Sequence, residues 1–137
     1  MAMFVRDVAP ELVSPTLNIV RLVLHPQGLA PRLVNHAEVR EHLLQPLRRR
    51  AAAGGDPRVG ELLAECEAYP YPDGTPEADP YGGVVVPVRL RHDGEVLSFF
   101  SAIATFGTAV DLTVAELSLE TFFPADEETA AYMKAAA

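Results

Sequence analysis

The hydrophobic period changes halfway along the chain, and this limits the possible folds more than any other feature. Up to about residue 68 the apolar residues recur at helical spacing; from Val84 onward they alternate. The segment between, Tyr69 to Gly83 (YPYPDGTPEADPYGG), holds four prolines and three glycines and reads as an exposed loop. Helices followed by a strand meander predict an α+β domain, with the N-terminal helices packed on an antiparallel sheet of at least three strands. A chain of 137 residues is enough for one such domain with a single core.

In the helical half, Ser14-Pro15 is a favourable helix start, with serine capping and proline at the first helical position. That helix is predicted to run to about Leu24, with Leu17, Val20 and Leu24 on one apolar face and Pro26 and Gly28 ending it. Asn35 is predicted to cap a second helix reaching about Ala53, with Val39, Leu43 and Leu47 facing inward and Pro46 inside it. Asp56-Pro57 opens a third helix to about Ala68, burying Val59, Leu62, Leu63 and Cys66. The strand half comprises residues 84–123. Val84–Arg91 and Val96–Phe106 are predicted to form a hairpin through the Asp93-Gly94 pair. Leu117–Phe123 is a third strand, and a short helix over residues 125–135 ends the domain, capped by Asp126.

Composition excludes several function classes. Eleven basic against nineteen acidic residues leave a net charge of -8, which phosphate backbones repel, so no direct nucleic-acid contact is expected. The Arg48–Arg50 run fits a solvated helix end. No apolar run approaches the roughly 20 residues that span a bilayer, so no membrane partner is expected. A lone cysteine, Cys66, cannot make an internal disulfide and fits a cytoplasmic location.

Candidate chemistry is sparse. His36 and His42 are six residues apart, which puts them on different helix faces, and His25 and His92 fit capping or surface roles, so no metal site is expected. Cys66 on an apolar stripe reads as a buried structural thiol. Glu61, Glu65 and Glu67, like Asp111, Glu116 and Glu120, read as solvated carboxylates. With no acid–base pair, nucleophile elbow or phosphate loop, neither an enzyme nor a cofactor is expected. Arg21 stands out in the apolar stretch NIVRLVLHP, because an unpaired buried charge is costly. It has two readings: a structural ion pair with a carboxylate such as Glu38 or Glu120, or an anchor for an acidic ligand, assisted by Asn18.

Two segments, SPTLNIVRLVLHPQGLAPRLVNHAEVREHLLQPLRRR and SFFSAIATFGTAVDLTVAELSLETFFPADEETA, together give the chain a family likeness. From about Val8 to Ala131 it resembles the C-terminal ligand-binding domain of MmyB-like, XRE-type helix-turn-helix transcription regulators of actinobacteria. The resemblance implies a single PAS-like domain over 1–137, with a cavity between helices and sheet that takes a small apolar or fatty-acid-like ligand. The helix-turn-helix domain and the strand pair that opens the family's sheet lie outside these residues. The expected cavity lining is Leu17, Val20, Leu24, Leu43 and Leu47 from the helices and Phe99, Ser101 and Ile103 from the sheet, with Arg21 and Asn18 at the head group. Small residues among large ones (Ser101, Ala102, Ala104) fit either a hollow core or tight packing. Both faces of the sheet are apolar, so the one away from the helices is expected to meet either a partner chain or the N-terminal elements outside these residues; a homodimer is expected, and a ligand-free dimerisation module is the alternative function.

Overall fold

A computed structural model describes residues 4–5, 7–13, 17–54, 56–70, 85–106 and 117–137, with 103–106 and 117–120 described by backbone alone. Four helices, α1 (Ile19–Leu24), α2 (His36–Ala52), α3 (Pro57–Glu67) and α4 (Glu127–Ala135), accompany three strands, β1 (Val88–His92), β2 (Glu95–Phe106) and β3 (Leu117–Pro124). The strands form an antiparallel sheet in the order β1-β2-β3, so the domain is α+β with a short C-terminal helix, as the change of period predicts.

The hairpin follows from its two turn residues. Asp93 and Gly94 both have positive φ, 49° and 86°, the backbone twist that a two-residue turn between antiparallel strands requires. The register this sets pairs Val88 with Phe99 and Leu90 with Leu97, which places all four side chains on one sheet face. That face meets the helices: Leu90, Leu97 and Phe99 are buried together with Leu22, Leu24, Val39 and Leu44. The opposite face remains partly open, with Val96 39% and Phe123 52% exposed. Its buried member, Ser98, donates its backbone N–H to the Thr129 hydroxyl (2.9 Å), and its carbonyl accepts from the Ala125 N–H (2.8 Å). In this way α4 continues along the edge of β2 where β3 stops.

Two elements are shorter than the sequence suggests. The first helix begins at Ile19, not Ser14, because the Asn18 side chain accepts from the Arg21 N–H (3.0 Å) and takes the cap. Ser14 and Pro15 lie outside the described residues, and Leu17 precedes the helix, 47% exposed. The first strand starts at Val88 because Pro87 has no N–H to give to a ladder. Val84 lies outside the described residues, as does most of the 69–83 loop. The other helices follow the prediction closely: α2 runs through the exposed Pro46, and α3 is capped by Asp56, which accepts from the Arg58 N–H (2.9 Å). Cys66 is fully buried, and burial pushes its thiol up to about 11, consistent with a structural role.

Candidate functional site

A cavity of about 410 Å³ lies between the helices and the inner sheet face. That volume falls in the usual range for small-ligand pockets, roughly 300–1,000 Å³. Helix α1 supplies Ile19, Leu22 and Val23, and the lead-in supplies Phe4 and Val5. The sheet contributes Val88, Leu90, Phe99, Thr121 and Phe122; Leu29 and Met133 complete the wall. Among these described lining residues, only Thr121 carries a polar side chain. It pairs with Ala102, so its side chain turns to the outer face with Phe123, while Leu22, Leu90 and Phe99 belong to the buried core.

Of the ten residues expected at the site, Phe99 lines this cavity. Leu24 and Leu47 are buried in the core, and Val20 and Leu43 pack against it at half-burial. Leu17 is exposed, and so is Ser101, as is its neighbour Ala102. The side chains of Ile103 and Ala104 lie outside the described residues. Periodicity identified the apolar face of α1 only approximately. With the helix starting at Ile19, the face that meets the cavity is Ile19, Leu22 and Val23, rotated from Leu17 and Val20.

Arg21 is held elsewhere. Its Nε and Nη2 donate to the two carboxylate oxygens of Glu65 on α3 at 2.7 and 2.8 Å, a bidentate pair. The structural reading of Arg21 therefore has a partner, Glu65, a carboxylate other than the Glu38 and Glu120 named as examples from the sequence. The Tyr69 hydroxyl also donates to Glu65, so this carboxylate is not a solvated ornament on α3. Glu67 accepts from Arg48 (2.9 Å) but stays exposed, as a solvated carboxylate does. Asn18 and Arg21 border a shallow groove of about 510 Å³ between α1 and α3, shared with Asp56, Arg58 and Glu65. Both arginines of that groove already face carboxylates, Arg21 facing Glu65 and Arg58 facing Asp56.

The Arg21 guanidinium, with the Tyr69 hydroxyl second, holds the Glu65 carboxyl down to about 2. Because its folded value lies below the ordinary one near 4.5, Glu65 contributes stability that is full above that pH and drains away as pH falls toward 2. Both side chains are over a third exposed, so solvent screening limits the pair to about 1 kcal/mol. Urea titrations of the wild type and Glu65→Gln should differ by about that amount at neutral pH and converge in acid. A gap that persists near pH 2 would show that the substitution acts on packing instead.

His36 and His92 are more enclosed than their sequence positions suggest. His36, the first residue of α2, is buried, and burial, aided by the Arg40 charge, lowers its pKa. The His92 ring lies edge-on to Phe4 and Tyr132, with centroids 5.4 and 5.9 Å apart. Among the described residues no three His, Cys, Asp or Glu side chains cluster as metal ligands, and no helix is long and apolar enough to cross a membrane.

No curated protein and no solved structure matches the chain. The α+β arrangement with a short C-terminal helix agrees with the likeness noted in its sequence. The model of one family extends over residues 1–136, and the chain therefore belongs to the MmyB-like transcription regulator ligand binding domains.

Proposed function

We propose that this ligand-sensing regulator domain binds an apolar, fatty-acid-like molecule in the cavity between α1 and the sheet. The observation that supports this most is the lining itself: about 410 Å³ bounded, among the described residues, by apolar side chains and one threonine. Each methylene moved there from water contributes roughly 0.8 kcal/mol, so an acyl chain needs little polar help. Binding that favours one placement of the helices shifts the population toward it, and with it the geometry offered to a DNA-binding domain. Lipid extraction and mass spectrometry of the purified protein should find acyl species. Delipidated protein should gain thermal stability with added long-chain fatty acid. Protein that carries no lipid and shows no shift would sink the reading.

With no charged side chain in the described lining, the head group adds little to affinity. A fatty acid and the alcohol of equal length should bind within a few-fold of each other by calorimetry. A carboxylate preference of tenfold or more would place a cation at the site.

The exposure of Phe123 and Val96 on the outer face favours a second role, self-association through the sheet. Light scattering across a concentration series, with and without fatty acid, separates the two. Dimerisation indifferent to ligand would favour a purely structural module.

A further inference from the structure

We infer that Phe4 is the end wall of the cavity and sets the length of chain it accepts, an assignment that rests on the acyl-binding reading. The ring of Phe4 is 9% exposed and lies edge-on to Phe99 at 5.2 Å and to His92 at 5.4 Å. Its backbone is tied down as well, because Arg32 donates to the Phe4 carbonyl. His92 is the last residue of β1 before the turn, so Phe4 covers the hairpin end of the inner face. The open end lies the other way along β2: the exposed Ser101, two residues beyond Phe99 on the same face and about 7 Å along the strand, pairs with Phe122 of the lining. A polar head fits beside the exposed Ser101, and an acyl tail directed inward then runs along the sheet until it meets the Phe4 ring. Beyond the ring are His92 and, against it, Tyr132 of α4. Removing the ring adds the volume it occupies to the cavity, up to the His92 and Tyr132 rings.

The test is the chain-length profile of delipidated full-length protein, titrated with decanoic, lauric, myristic, palmitic and stearic acids. In the wild type, affinity should tighten about fourfold per buried methylene and then level off at the chain that fills the cavity. Phe4→Ala should move that plateau to a chain about two or more methylenes longer, and Phe4→Leu should move it less. Phe123→Ala, on the outer face, should leave the profile unchanged. A general loss of packing would weaken all acids alike without moving the plateau. The same plateau in the wild type and in folded Phe4→Leu and Phe4→Ala would overturn the assignment while leaving acyl binding intact. If Phe4→Ala does not fold, Phe4→Leu alone decides. Wild-type protein that binds none of the acids would overturn both the assignment and the reading beneath it.

Discussion

Gly28→Ala is expected to cost the domain more stability than any other single-methyl change in its turns. A β-carbon at this buried position would sit 2.2 Å from the Leu22 carbonyl oxygen, 3.2 Å from its carbon and 3.3 Å from the His25 carbonyl oxygen. All three are backbone atoms, and they cannot swing aside as a side chain could. The Leu22 carbonyl is also committed, accepting from the Leu29 N–H at 2.9 Å, while the Gly28 N–H donates to the His25 carbonyl at 2.8 Å. Relief requires α1 to shift away from the turn that follows it, and α1 is a wall of the cavity. A loss of about 3 kcal/mol or more is expected from such overpacking against backbone. For a domain of ordinary stability, about 5–15 kcal/mol, that is a large share. Gly60→Ala is the matched control. Gly60 lies inside α3 with nothing within 4 Å of an added β-carbon, so alanine there should stabilise by about 0.5–1 kcal/mol. Urea midpoints should therefore move in opposite directions for the same chemical change. A Gly28→Ala protein as stable as wild type would mean that this turn is not packed as described.

Gly28 also illustrates how far the sequence could be read. Its place after Pro26 marks the end of a helix, and α1 does end at Leu24. The physical demand on Gly28 is close approach to a carbonyl from six residues back, which no local rule encodes. Features with local causes were legible: the Asp93-Gly94 turn, the Asp56-Pro57 and Asp126 helix starts, and the burial of Cys66. The same holds for the α+β order, since period follows directly from which face is buried. Long-range pairing was not legible. Arg21 was recognisable as needing a partner, but Glu65 looks no different in sequence from other carboxylates until α3 is laid against α1. The rotation of α1's apolar face hinged on whether Ser14 or Asn18 caps, and both are good caps. The cavity wall drew on residues that sequence reasoning passed over. Phe4 and Val5 stand in a lead-in without periodicity, and Met133 in a terminal helix of modest amphipathicity. Phe4 had one signal, a large aromatic in a short apolar stretch ahead of the first helix, but nothing in it specified the partner.

Asn35→Asp is expected to be destabilising, although capping rules alone predict that it should be harmless. Asn35 occupies the position before α2, yet its side chain makes no capping bond to that helix. It reaches across instead to the approach of β1. Its Nδ2 donates to the Pro87 carbonyl at 2.7 Å and to Glu38 Oε2 at 3.2 Å, and its Oδ1 accepts from the Arg89 N–H at 3.1 Å. Together with the Val34 N–H donating to the Arg89 carbonyl (2.9 Å), this residue fixes the start of α2 against the free edge of β1. The side chain is buried, so water cannot readily replace it. Asn35→Ala removes both the donor to Pro87 and the acceptor for Arg89, at about 1–3 kcal/mol for each group left without that bond. Asn35→Asp keeps the acceptor, but it loses the donor and sets a second carboxylate where the amide met Glu38. At neutral pH it should cost at least about 2 kcal/mol, and part of that should return as acid protonates one of the two carboxylates. If Asn35 served α2 as a simple cap, aspartate would be its equal, and the helix dipole would favour it. Urea unfolding of the three proteins at neutral and acidic pH, with unchanged denaturant slopes, distinguishes the two roles. Wild-type stability in Asn35→Asp at neutral pH would return the residue to the cap and leave the junction between α2 and β1 without its clamp.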